Sequence, residues 1–391
     1  MQAVVLGGGG AMGRVCVMDL AASGAEDVVV ADLNERAATE VAEAASSSAT
    51  VRAASVDVTD HEALVEVLGP ADVVCNCVNY RLNVPVMHAA AAAGTHYVDL
   101  GGLYHGTLEQ LQLAAEVEAA GILALLGVGS TPGTTNVMAA LGAERLDRID
   151  EIHIRCGGWD PHPTEAALPA PFAIDTILDE FSLPAIAVRD GRIVEVDPAA
   201  TEEQFDFPEP VGRQAVMAAV HSELATLPGA FPEAREISFK LAYGAEMARR
   251  YRFVTELGLA RTDPIELPGG TRVSPREVLK VLALERPQRF SGEDVETLVV
   301  EMRGERDGAR YEVRVEETCP PADSYRVGGA DANTGIPPSV TAQMVARGDI
   351  GVAGVKAPEE VVPPREYFAE LAKRGIEVHI KERPVGVEEA R

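Results

Sequence analysis

The stretch from Gln2 to Asp32 constrains the fold of this chain more than any other. Ala3, Val4, Val5 and Leu6 form a short apolar run of the kind buried in a parallel sheet. Gly8, Gly10 and Gly13 follow at the spacing G-x-G-x-x-G, which in this setting is the fingerprint of a dinucleotide-binding βαβ unit. The first glycine permits a tight turn, the second lets backbone approach a pyrophosphate, and the third lets a helix starting near Ala11 pack on the strand. That helix presents free N–H groups and the positive end of its dipole to the phosphates. A second apolar run ends at Asp32, nineteen residues after Gly13. A carboxylate there accepts hydrogen bonds from both ribose hydroxyls, which favours NAD; NADP is the lesser alternative, because Arg36 stands close enough to reach a 2′-phosphate. A lone glycine motif would say little, but here strand, glycines, helix, second strand and terminal acid occur in order.

The rest of the first third alternates strand and helix. Asn34 caps a helix to about Ala45, Val51 to Asp57 reads as a third strand, and Thr59 or Asp60 caps the next helix. Asp72 to Asn76, His96 to Leu100 and Ile122 to Leu126 are the following strands, separated by helices over Val84–Ala93 and roughly Leu108–Ala120. Such alternation gives a doubly wound parallel sheet, a Rossmann fold, whose ligands bind beyond the carboxyl ends of the strands. The candidate cofactor residues are therefore Gly8, Gly10, Ala11, Met12, Gly13, Asp32 and Leu33, with Asp57 and Val58 against the adenine and Asn76 at the end of the fourth strand. Tyr80, Gly101, Pro132, Gly133 and Asn136 lie on strand-end loops and are candidates for the substrate. Pro132 starts a helix, so Gly133 and the polar residues after it form a second candidate anion site.

A chain of 391 residues with 47% hydrophobic content exceeds one core, so two domains are expected. From Ile149 the pattern changes to hairpins: Asp190-Gly191 and Asp307-Gly308 each separate two β-rich runs. Ser274 and Pro275 open a helix to Leu284, Pro337 and Pro338 introduce one to Arg347, and Pro364 introduces another ending at Gly375. The formal charge of −27 argues against nucleic-acid or anionic-membrane partners; a solvated acidic surface that keeps the chain soluble accounts for it first, and such a field would also favour approach by a cationic amine. No apolar run approaches the ~20 residues that span a bilayer. The five scattered cysteines suit reduced thiols, so a soluble, cytoplasmic protein is expected. Only five lysines occur, the first at Lys240, which limits any lysine-based mechanism. No metal is suggested, because H-E-x-x-H, paired C-x-x-C and EF-hand patterns are absent.

The segments VLGGGGAMG, VVCNCVNYRLNVPVMHAAAAAGTHYVDLGG, LLGVGSTPGTTNVMAALGA, TAQMVARGDI and YFAELAKRGIEV resemble the saccharopine dehydrogenase-like family, nearest to its lysine 6-dehydrogenase branch. The resemblance implies an NAD-binding Rossmann domain over residues 1–130 and 336–391. An inserted α+β substrate and dimerisation domain would span residues 131–335, in a homodimer. The chemistry implied is hydride transfer at a carbon bearing nitrogen, through an imine, on the terminal amine of lysine or a related amino acid. The alternatives are a saccharopine- or carboxynorspermidine-type reductase that joins an amine and a carbonyl, and an NAD-binding regulatory protein without turnover. The amine must lose its proton before hydride leaves, so a base near neutrality is needed. His221, with Ser222 beside it in VHSELATLP, resembles a substrate-domain segment of the family, and Asp99 closes the YVDLGG element; these two are the catalytic candidates. Trp159 and Tyr80 are placed as walls of the substrate site, while His61 and His88 read as structural.

Overall fold

The computed structural model of the chain describes residues 1–45, 49–285, 288 and 290–385. Its strands run in chain order as β1 (Gln2–Leu6), β2 (Asp27–Asp32), β3 (Thr50–Ser55), β4 (Val73–Asn76), β5 (His96–Asp99), β6 (Leu123–Leu125), β7 (Arg148–Trp159), β8 (Ala185–Arg189) and β9 (Arg192–Val196). They continue as β10 (Glu203–Asp206), β11 (Arg213–Ala218), β12 (Glu236–Leu241), β13 (Ile265–Glu266), β14 (Arg272–Val273), β15 (Val295–Arg306), β16 (Ala309–Cys319), β17 (Gly354–Lys356) and β18 (Glu377–Pro384). Seven of them form a parallel sheet in the order β17-β6-β5-β4-β1-β2-β3. The order reverses between β1 and β4, which opens a crevice at their carboxyl ends.

Both faces of this sheet are covered, as the unbroken apolar runs require. Val4, Leu6, Val29 and Val74 pack with Leu64, Leu68, Val86 and Met87 on one face. Ala3, Val5, Val28 and Cys75 pack on the other with Val15 and Leu20 of helix Ala11–Ala22 and with Ile336 and Val340 of helix Gly329–Arg347. Those two helices touch so closely that a Cβ on Gly335 would lie 2.6 Å from the Val15 Cβ. The expectation that Pro337 and Pro338 begin the last long helix is corrected, because they lie inside it. Burial on nearly every side outweighs the roughly 3 kcal/mol that an interior proline costs.

The second sheet has nine strands, with β10-β11-β12-β7-β15-β16-β18 as its path and β8 and β9 branching from β12. Only the β12–β7 pairing is parallel. The Asp-Gly turns form as read: Asp190 and Gly191 have φ of 51° and 73°, and Asp307 and Gly308 have 52° and 76°. Two features escaped the sequence. β17 adds an edge strand to the first sheet beside β6, and the final strand β18 pairs with β16 in the second sheet. The helix after β5 is also broken in two, Leu103–Leu111 and Ala114–Ala120. The carboxyl-end loops of β5 and β6 then face the segment between β11 and β12, and the site lies between them.

Candidate active site

The glycine-rich turn fits a dinucleotide. A Cβ on Gly13 would lie 2.1 Å from the Gly7 carbonyl oxygen, so only glycine lets the helix approach the turn. Helix Ala11–Ala22 has no side-chain cap at Gly10, and among the described residues the N–H groups of Ala11, Met12 and Gly13 have no acceptor. Three first-turn donors thus remain for an anion. Asp32 ends β2 with Oδ2 accepting from Gly9 N at 3.0 Å and Oδ1 from Asn34 N at 2.9 Å. This holds the carboxylate at the rim where a ribose would lie. Leu33 beside it is 72% exposed. Asp57 accepts from the Thr59 amide and hydroxyl, which hold it below the usual carboxylate range, and Val58 is half-buried next to it.

Asn76 and Asp99 are register partners at the ends of β4 and β5. Asn76 is buried: its amide donates to Asn83 Oδ1 at 2.9 Å and to Tyr97 Oη at 3.0 Å, while its Oδ1 has no partner among the described residues. Asp99, 1% exposed, accepts five hydrogen bonds. Oδ1 takes Gly101 N at 2.8 Å and Gly127 N at 2.6 Å; Oδ2 takes Tyr97 Oη at 2.8 Å, Gln110 Nε2 at 2.6 Å and Asn83 Nδ2 at 3.2 Å. Burial raises its pKa against the pull of these donors. No lone pair is left for a substrate. The reading of Asp99 as a catalytic carboxylate is therefore corrected: it pins the β5 and β6 loops to one point.

Those loops interlock. Gly101, at φ 101°, lies so close to Pro132 that a Cβ would sit 2.5 Å from its Cγ. The expected anion site at Pro132 and Gly133 is filled by the chain itself. The amides of Gly133, Thr134 and Thr135 donate to Asn136 Oδ1, Gly129 O and Ser130 O, and Asn136 gives its own amide to Glu359 at 2.8 Å.

Against this double loop sits the segment that follows β11. Ser222 Oγ accepts from Gly102 N at 3.2 Å, which places His221 beside the crevice. The His221 ring, 6% exposed, stacks on Phe239 of β12 with centroids 3.9 Å apart. Its Nδ1 is hydrogen-bonded to Glu223 Oε2, while Glu223 Oε1 accepts from Thr135 Oγ1 at 2.9 Å. Among the described residues Nε2 has no partner. Burial works against the charged ring, yet Glu223, by charge and hydrogen bond, and Glu180, by charge, raise its pKa above the ordinary value. A histidine oriented through Nδ1 by a carboxylate, with Nε2 open, is built to give and take a proton.

Tyr80 donates to Asp179 Oδ2 at 2.8 Å and stands edge-on to His105, with centroids 6.1 Å apart. Trp159 ends β7 opposite Val295, 43% exposed, and among the described residues no hydrogen bond or ring contact joins it to Tyr80 or to the crevice loops. Glu180, Glu223, Tyr243 and Phe239 were not found from sequence. In a chain with 61 acidic residues, no spacing marks the two glutamates that fold beside one histidine. Among the described residues no group of three or more His, Cys, Asp and Glu is placed to hold a metal, and no helix is long and apolar enough to cross a membrane.

Residues 3–125 match the saccharopine dehydrogenase NADP binding domain, and residues 129–376 match the saccharopine dehydrogenase C-terminal domain. The chain belongs to the saccharopine dehydrogenase family. It is an NAD(P)-dependent oxidoreductase of that family. It is 24% identical to carboxyaminopropylagmatine dehydrogenase of Synechocystis sp., over 97% of either chain. It is 27% identical to carboxynorspermidine synthase of Vibrio cholerae, over 81% of this chain and 80% of that one. In fold it resembles saccharopine dehydrogenase (L-Glu forming) from Saccharomyces cerevisiae, with a TM-score of 0.72 over 98% of this chain and 100% of that one, at 20% identity.

Proposed function

We propose that this oxidoreductase joins a primary amine to a carbonyl compound and reduces the resulting imine to a secondary amine. The observation that carries the reading is His221: buried, fixed through Nδ1 on Glu223, and open at Nε2 beside the crevice. The nicotinamide cofactor, when bound, supplies the hydride. Asp99 holds the β5 and β6 loops together. His221 takes the proton from the attacking ammonium at Nε2 and returns it to the leaving hydroxyl of the carbinolamine. Glu223 keeps the ring charged for that return, since it raises the His221 pKa despite burial. Carboxynorspermidine and carboxyaminopropylagmatine, in the relatives' names, denote amines that carry a carboxylate, which supports a carbonyl partner bearing one.

Asp32 supports NAD over NADP, although the matching domain is named for NADP. Oxidation of lysine at its terminal amine is the second reading, favoured by the lysine 6-dehydrogenase-like segments; it also passes through an imine, formed there by loss of hydride and then hydrolysed. In either case residues 1–130 and most of 336–391 hold the cofactor, and residues 131–335 the substrate. We place the protein in the cytoplasm, where its five free cysteines would stay reduced. A homodimer belongs to the same reading: Phe253, Leu257, Val281 and Leu282 are each more than 60% exposed, and a second copy would cover them. NADH oxidation followed at 340 nm with 1,3-diaminopropane or agmatine plus an amino-acid semialdehyde tests the main reading. NAD reduction by lysine alone would instead support the second.

A further inference from the structure

Helix Ile174–Ser182 is anchored in a small core of its own, with Leu168, Tyr251, Ala260 and Leu279, and two adjacent residues on it face different ways. Asp179 joins the two parts of the molecule. Its Oδ2 accepts from Tyr80 Oη at 2.8 Å and from Arg81 Nη2, both on the loop after β4, and its Oδ1 accepts from Arg276 Nη1 at 2.7 Å. Arg276 is itself buried and gives Nε to the Ala260 carbonyl at 2.7 Å. Burial opposes ionisation of Asp179, but these three donors hold its carboxyl below the usual range. It is a fixed charge on a fixed helix.

Glu180, the next residue, turns toward the site and is 2% exposed. Tyr243 Oη donates to its Oε2 at 2.9 Å, and the ring of His221 lies within its field. Its Oε1 has no partner among the described residues. The buried His221 likewise has no partner at Nε2 among the described residues, so two buried polar groups with unused hydrogen-bonding capacity lie within each other's electrostatic influence. The neighbouring arginines, Arg81 and Arg276, are committed to Asp179.

Resting on the amine reading above, we propose that Glu180 is a specificity residue. Its free oxygen takes one ammonium group of a diamine substrate, and the other amine is thereby presented at His221. Asp179 is the positioning residue: by clamping the helix to the Tyr80–Arg81 loop, it sets Glu180 in place. An ammonium suits Glu180 because it brings three donors to a carboxylate oxygen that has none. Without a cation, burial pushes Glu180 up to about 7 against the opposing influence of His221 and Tyr243, and an arriving positive charge restores the carboxylate.

Titration calorimetry of 1,3-diaminopropane and of propylamine, on the full chain saturated with NAD, tests this without turnover. Wild type is expected to bind the diamine at least about tenfold more tightly than propylamine, on the scale of one charge-assisted hydrogen bond. Glu180→Gln abolishes that preference and leaves NAD affinity unchanged. Glu180→Asp retains part of it and carries the test if the glutamine variant does not fold. Asp179→Asn reduces the preference and leaves NAD affinity unchanged, which a general loss of fold would not do. A wild type without preference, or a folded Glu180→Gln that keeps it, overturns the proposal. Failure of the amine-joining reading looks different: diamine binding intact, and no NADH consumed with any amine and carbonyl pair.

Discussion

Replacing Glu223 by glutamine isolates the electrostatics that the proposed mechanism needs. Glu223 is wholly buried, and its two oxygens meet the Thr135 hydroxyl and His221 Nδ1. Glutamine keeps the volume and can keep the Thr135 bond, so the change removes one charge in contact with the ring. Loss of an adjacent opposite charge moves a pKa by about 1–3 units, or roughly 1.4–4 kcal/mol of preference for the protonated form. Burial, the largest influence on His221, lowers its pKa, and Glu223 is the main influence that reverses this. With Glu223 neutral, the ring falls below its ordinary value of 6.5. The alkaline limb of kcat/KM for NADH-driven joining of amine and carbonyl should move about 1–3 pH units toward acid. Above both values, the protonated ring becomes about ten- to a thousandfold scarcer. The same sign governs stability. A histidine with a raised folded pKa adds stability at pH below its unfolded value and loses it as pH rises through the folded one, so Glu223→Gln should flatten that window. A variant that binds NADH normally and keeps its alkaline limb unmoved would refute this account of His221.

Three further outcomes follow from the geometry. Gly13→Ala places a Cβ 2.1 Å from the Gly7 carbonyl oxygen, so NADH affinity measured by fluorescence should fall at least about tenfold; unchanged affinity would show that the turn can open. Asp32→Ala removes the ribose acceptor, a charge-assisted bond worth about 1.5–3 kcal/mol, so NADH should weaken by roughly ten- to a hundredfold while NADPH does not, and parallel loss of both would contradict the NAD preference. Asp19 is fully buried, accepts from Arg374 at 2.7 and 2.9 Å and also from Tyr325 and Ser339, and so ties the C-terminal elements to helix Ala11–Ala22. Asp19→Ala should cost about 3 kcal/mol in urea unfolding, the low end for a broken buried pair because Glu370 still accepts from Arg374.

The Rossmann half was legible because its signals are local. Apolar runs, glycine spacing and the caps at Asn34 and Asp60 each depend on a few neighbouring residues and formed as read, as did the Asp-Gly turns of the second sheet. What was missed depends on contacts distant in sequence. The Pro337–Pro338 pair reads as a helix start, and only the packing of Gly335 on Val15 shows why the helix runs through it. β17 is three residues long and is defined by its partner β6 rather than by its own composition. At the site, His221 was visible but its partners were not. Glu223 lies two residues away, Glu180 forty-one residues earlier, and neither differs locally in sequence from the acids that the fold leaves on the surface. Asp99 is legible as a strand-end carboxylate, but its saturation by Gln110, Tyr97 and two loop amides is a property of the folded loops.

The central claim is that hydride reaches a carbon newly bonded to nitrogen. Incubation of the protein with NADH dideuterated at C4 of the nicotinamide, 1,3-diaminopropane and an amino-acid semialdehyde tests it by mass spectrometry. The account predicts a product whose mass is that of both substrates less water, plus one hydrogen and one deuterium, with the deuterium on the new C–N carbon. Unjoined substrates, or deuterium only in an alcohol formed from the carbonyl compound, would contradict it.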